Sequence, residues 1–210
     1  MSQKLAIGAA LAAGVLLAGT WGYTQFAGGS GDELAECRIG NVAGGAGSIG
    51  GPFELVDETG KTVTDKDVIT KPTLLYFGYT FCPDVCPLDS ARNGEAAVLL
   101  EERGVDVGTV FVSIDPERDT PESLAEFTDV MHPEMLGLTG TPEQVKAASM
   151  AYRTYYKKQE PEEGDEEFYL VDHSTFTYLV TPEQGFIDFF KRDESPEQMA
   201  DRVQCFIDRL

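Results

Sequence analysis

Two cysteines, Cys82 and Cys86, stand four residues apart in the run Gly78-Tyr79-Thr80-Phe81-Cys82-Pro83-Asp84-Val85-Cys86-Pro87. On a turn-like backbone, residues at i and i+4 share a face, so the two sulfurs fall within reach of a disulfide or of a single bridging metal ion. Pro83 and Pro87 each follow a cysteine and bias that cysteine away from the α region. The apolar run Thr73-Leu74-Leu75-Tyr76-Phe77 ahead of them reads as a buried strand, and a helix is expected from about Leu88 to Arg103. The thiols therefore sit where a strand hands over to a helix, and the amide dipoles of a helix N-terminus favour a thiolate. A purely stabilising disulfide is a weak reading, because closing so short a loop removes little chain entropy. Thiol–disulfide exchange and metal binding both remain.

Only two histidines occur. His173, in Val171-Asp172-His173-Ser174-Thr175-Phe176, precedes an expected strand. Two thiolates and an imidazole form a soft donor set that suits three-coordinate Cu(I), and added oxygen or nitrogen donors would admit Cu(II). Zinc would ask for a fourth ligand. A lone histidine is more often a hydrogen-bonding residue than a ligand, so His173 by itself decides nothing. Asp172 either orients His173 from behind or faces solvent. Asp84 between the thiols either tunes their charge or caps the loop. Met131, His132 and Met135 form a second soft-donor cluster, but His132-Pro133 reads as a helix end and methionines commonly fill cores.

The elements that must position these residues follow from pattern. Phe53-Glu54-Leu55-Val56 and Lys61-Thr62-Val63-Thr64 read as a hairpin. Val107 to Ile114 is a second apolar strand ended by Asp115-Pro116, and Leu136 to Thr139 a brief third. Thr120-Pro121-Glu122, Thr141-Pro142-Glu143 and Ser195-Pro196-Glu197 each place a capping hydroxyl before a proline at the first helical position. They predict helices to about Met131, Tyr156 and Leu210. A closing hairpin spans Phe176–Val180 and Phe186–Phe190. Alternating strands and helices give an α/β fold, and thiols at a strand-to-helix junction make it thioredoxin-like. Thioredoxins space their cysteines C-x-x-C and place a proline where this chain has His173-Ser174-Thr175. The segment Asp115-Pro116-Glu117-Arg118-Asp119, at the C-terminal edge of a central strand, is expected either to dock a partner or to form a turn with local ion pairs.

From Leu5 to Gly31 there is no charged residue, with Lys4 before and no basic residue after until Arg38. This reads as an N-terminal transmembrane anchor over residues 1–27, with the remainder across the membrane from the N-terminus; a cleaved signal peptide is the competing reading. Residues 28–51, with nine glycines, read as a linker, and residues 52–210 as the folded domain. Cys37 and Cys205 are expected to pair near the domain's two ends. A net charge of −20 argues against nucleic acid, whose phosphates call for Lys and Arg. Six of the eight residues from Glu160 to Glu167 are acidic, which reads as an exposed loop.

Three motifs taken together, Gly78 to Pro87, Val112-Ser113-Ile114-Asp115-Pro116-Glu117-Arg118-Asp119-Thr120-Pro121, and Asp172-His173-Ser174, resemble the Sco/SenC family in order and spacing. The resemblance covers roughly Gly51 to the C-terminus. It implies a thioredoxin-like domain on a membrane anchor, facing the periplasm or the mitochondrial intermembrane space. It implies copper ligands Cys82, Cys86 and His173. The implied function is a copper metallochaperone that delivers to the binuclear copper A site of cytochrome c oxidase, with the oxidase's copper-site subunit, other copper chaperones and thiol reductants as partners. The alternative within the same resemblance is a dedicated thiol–disulfide oxidoreductase that uses Cys82 and Cys86 as its redox pair. This chain has Phe81 where the family usually carries a histidine or similar residue, and Phe81 cannot ligate.

Overall fold

The computed structural model describes residues 14, 16, 18–22, 34–39, 46–160 and 168–210, which fall in two units, 1–37 and 38–210. In the first unit, residues 14, 16 and 18–22 are helical. No helix among the described residues is long and apolar enough to cross a membrane, and most of the expected anchor, like most of the acidic loop, lies outside them.

The second unit is built on a seven-stranded sheet in the order β2-β1-β5-β4-β3-β8-β9. Its strands are β1 (Glu54–Asp57), β2 (Thr62–Thr64), β3 (Thr73–Gly78), β4 (Gly108–Ser113), β5 (Met135–Thr139), β8 (Thr177–Thr181) and β9 (Gly185–Phe190). Strands β3, β4 and β5 are parallel neighbours, and β8 runs antiparallel to β3. A parallel centre is covered on both faces, which is why β3 is a continuous apolar run without alternation and is buried at every residue. The helices are α1 (Asp65–Val68), α2 (Val85–Glu102), α3 (Pro121–Met131), α4 (Pro142–Ala151) and α5 (Pro196–Ile207). Helix α2 packs with α5, α3 with β5, and α4 with β1.

The three capping signals act as read. Thr120, Thr141 and Ser195 hydroxyls accept from the amides of Ser123, Gln144 and Gln198 at 3.2, 3.2 and 3.3 Å, with proline in the first helical turn each time. Three expectations need correction. Helix α2 begins at Val85 rather than Leu88, so Cys86 is helical although Pro87 follows it. The first turn of a helix has no use for the proline's missing N–H, and tertiary packing overrides the local bias. Helix α4 stops at Ala151 instead of continuing to Tyr156, and the chain leaves it through Arg153 at φ 52°. Beyond that break, β6 (Tyr156–Lys158) pairs antiparallel with β7 (Val171–His173) in a separate two-stranded ribbon. Neither strand shows in the sequence pattern, because three residues are too few to carry a period.

Candidate metal centre

Cys82 lies in the turn after β3, Cys86 at the second position of α2, and His173 at the end of β7. Their ligand atoms all lie within 4.8 Å of one another, and no other trio of His, Cys, Asp or Glu side chains gathers this way among the described residues. The two thiols are free. Cys86 Sγ is 3.3 Å from His173 Nε2, and the Cys86 amide donates to Cys82 Sγ at 3.3 Å. His173 Nδ1 lies 2.9 Å from the carbonyl oxygen of Ser174. A carbonyl only accepts, so Nδ1 carries the proton and Nε2 presents its lone pair to the thiols. The group behind His173 is therefore this carbonyl and not Asp172, which is exposed and accepts from Gln159 Nε2 at 2.8 Å.

The thiols differ in depth and in charge. Cys86 is fully buried, while Cys82 retains 8% of its surface. The Cys86 side chain donates a hydrogen bond to Cys82, and with the Asp84 and Cys86 amides it holds Cys82 well below the usual thiol pKa, against the cost of burial. Burial pushes Cys86 the other way, and the neighbouring Cys82 adds to it. The two thiols are thus shifted in opposite directions, with the lowered one nearer the surface.

Residues that the motif reading passed over shape the pocket. Tyr76 and Tyr79 present their rings edge-on to the imidazole, with centroids 6.2 and 5.8 Å away. Tyr76 Oη donates to Asp89 at 3.1 Å, and Asp89 pairs with Arg92 at 3.4 Å. All three are buried, and loss of hydration holds the Asp89 carboxyl above its ordinary pKa, against the pull of Arg92. Gly78 closes the floor: a Cβ there would stand 2.8 Å from the Tyr76 ring, 2.9 Å from Phe111 and 3.0 Å from Cys86 Sγ. A tyrosine within an aliphatic strand and a glycine at its end are the traces these leave in sequence; Asp89 leaves none.

Other singled-out residues resolve locally. Asp84 occupies the N-cap position of α2, but its side chain makes no capping bond. Met135 is buried and Met131 packs against the core, while His132 Nδ1 accepts from the Glu134 amide at 3.2 Å. The segment 115–119 is anchored inward at its two ends, Asp115 and Asp119. Asp119, 1% exposed, accepts from the Thr80 amide at 3.1 Å and from the Thr80 and Ser113 hydroxyls at 2.5 and 2.6 Å.

A βαβ unit followed by a hairpin and a helix, with cysteines at the first strand-to-helix junction and a histidine before the hairpin, defines a thioredoxin-like protein with a Cys-Cys-His centre. The SCO1/SenC family model matches residues 42–208. Protein SenC of Rhodobacter capsulatus is 55% identical over all of this chain and 93% of its own length. The mitochondrial SCO1 homolog 1 of Arabidopsis thaliana is 44% identical over 76% of this chain, which spans 47% of that protein. The crystal structure of Arabidopsis thaliana ScoI with copper bound superposes with a TM-score of 0.73 at 44% identity, over 77% of this chain and 99% of that one. The chain belongs to the SCO1/SenC family.

Proposed function

We propose that this protein is a membrane-anchored copper metallochaperone. Cys82, Cys86 and His173 take up Cu(I) and deliver it to the binuclear copper A site of cytochrome c oxidase, with the soluble domain in the periplasm or its mitochondrial equivalent. The observation that carries this is the gathering of two sulfurs and one imidazole nitrogen within 4.8 Å, with the nitrogen's lone pair already aimed at the thiols. Copper bound in relatives such as Arabidopsis ScoI supports it. Two thiolates and an imidazole match the preference of Cu(I) for soft donors and low coordination number, and an incoming thiolate can displace one of three ligands without a fourth to remove. Titrating the reduced full chain in detergent with Cu(I) against a competing chelator tests the ligand set. The His173→Ala variant is expected to bind about 10–100-fold more weakly and without a nitrogen in the copper X-ray absorption spectrum; unchanged affinity and coordination would remove His173 from the site.

A second reading draws on the unequal thiols. A stabilised Cys82 thiolate backed by a buried Cys86 thiol is the arrangement of an attacking and a resolving cysteine. The chain would then reduce the cysteines of the oxidase copper site, its own pair closing to a disulfide. Metal-free turnover on an oxidised peptide from that subunit supports this reading, and transfer from the copper-loaded form alone supports the first.

A further inference from the structure

The Cys loop follows β3 and His173 precedes β8, neighbouring strands of the main sheet that pair Tyr76 with Thr177, but neither the loop nor His173 is itself part of that sheet. Cys82 and Cys86 hang from the end of β3, whereas His173 ends the β6–β7 ribbon, which makes a sheet of its own. The segment 115–119 between β4 and α3 touches both pieces. Toward the Cys loop, Asp119 holds Thr80 by its amide and hydroxyl, and the Arg118 guanidinium lies 4.8 Å from the Phe81 ring centroid and 5.8 Å from that of Tyr79. Toward the ribbon, the same guanidinium lies 3.5 Å from the ring centroid of Tyr169, two residues before β7. Asp115, 5% exposed, fastens this stack by accepting from Arg118 Nε at 2.5 Å and from the Tyr169 hydroxyl at 2.7 Å. Lys158 of β6 lies 3.7 Å from the Tyr169 ring and pairs with Glu117 at 2.8 Å. Val171 then donates its amide to the Tyr79 hydroxyl at 3.3 Å.

We propose that Arg118 is a positioning residue for the metal centre: stacked over Phe81 of the Cys loop and Tyr169 of the ribbon, it sets the separation between the two thiols and His173. The chemistry suits arginine in particular. Its flat guanidinium presents a face to aromatic rings while its edge keeps a hydrogen bond to a carboxylate, and an ammonium group cannot do both. Phe81 thereby gains a task that needs no ligand atom. Its ring is the loop-side half of the stack, which explains a half-exposed phenylalanine beside a metal site.

The copper arm of the test rests on the proposed ligand set, and the first arm does not. In the metal-free full chain, NMR of the imidazole protons is expected to show His173 shifted by the Tyr76 and Tyr79 ring currents. Arg118→Ala, and also Arg118→Lys, should move those resonances toward free-histidine positions with the global fold intact. In the second arm, Arg118→Ala is expected to weaken Cu(I) binding about tenfold, and to weaken it no further when His173 is already alanine, as befits a residue acting through His173. Phe81→Ala, at an exposed position, should shift both readouts the same way by less, and stands in should the Arg118 variants not fold. Unmoved His173 resonances, or equal copper losses with and without His173, would overturn the assignment. A parent that binds copper no better than His173→Ala sinks the ligand reading instead, while the metal-free resonances still decide the role of Arg118.

Discussion

At the scale of single residues, the site depends on an inequality between two cysteines that the spacing alone does not reveal. Cys82 is stabilised as a thiolate by donors gathered around its sulfur, and Cys86 is kept protonated by burial. Alkylation of the reduced protein should therefore modify Cys82 first and remain fast well below the pH at which ordinary thiols fall silent, while Cys86 stays unmodified until the protein unfolds. Peptide mapping after brief labelling reads this directly, and preferential labelling of Cys86 would reverse the assignment. Gly78 supplies a second test. A methyl group there meets two rings and the Cys86 sulfur at 3.0 Å or less, so Gly78→Ala is expected to lower stability by about 1–3 kcal/mol and to perturb the copper spectrum. Urea denaturation beside metal titration separates the two effects. The Cys-Cys-His cluster was legible because Cys82, Cys86 and His173 carry rare chemistry at marked positions. The carbonyl of Ser174 was not, since every residue has one and only the fold aims it.

At the scale of elements, what could be read was whatever a local rule governs. Proline after a capping hydroxyl located α3, α4 and α5, and buried apolar runs located β3 and β4. Thr141→Ala should lower stability by about 1 kcal/mol, measured by chemical denaturation, since its hydroxyl and the Gln144 side chain form a reciprocal cap. The ribbon that carries His173 escaped because β6 and β7 are three residues each and are joined across a long acidic excursion. Their pairing is decided by tertiary contacts at Tyr169, Lys158 and Val171, not by a period. The segment 115–119 was visible as a motif, and the local ion pair it offered, Asp115–Arg118, is present. Its reach to Thr80 across 39 residues lies beyond any local rule. Asp119→Ala strands the Thr80 and Ser113 donors in a buried setting, at an expected cost of about 3 kcal/mol; a loss under about 1 kcal/mol in urea denaturation would show that water replaces the carboxylate.

At the scale of the whole molecule, charge governs response to conditions. A net charge of −20 loads the folded state with self-repulsion. Asp89, Asp119 and Asp188 are held above the ordinary carboxyl value of 3.8, in each case chiefly by burial. The folded state binds protons at these groups more tightly than the unfolded chain, so their contribution to stability grows as pH falls through the raised values toward 3.8. Asp57 and Asp67 are shifted down, Asp67 chiefly by the Thr64 hydroxyl and Asp57 by hydrogen bonds from Thr59 and Lys61 that outweigh its burial. Their contribution is lost only as pH drops below that range. In a Cys82→Ser variant, which removes the opposing contribution of a thiol whose pKa is lowered on folding, the melting temperature is thus expected to rise from about pH 8 to about pH 5 and to fall below about pH 4, and added salt should raise it at neutral pH. A melting temperature that falls steadily from neutral pH would contradict this. The Cys37–Cys205 bridge is proposed on sequence grounds, and digestion without reduction should yield the cross-linked peptide.

The gradient in depth from Cys86 to Cys82 gives the proposed cargo a direction of travel. Cys86 is fully buried with Gly78 directly against its sulfur, so in the proposed transfer a recipient's sulfur would approach past Cys82, the more exposed thiol. On that reading the outer ligands would detach first and Cys86 last. A half-transferred ion would then be shared between Cys86 and the recipient, never released to water, and the sequence of departures is written into how far each sulfur lies from the surface.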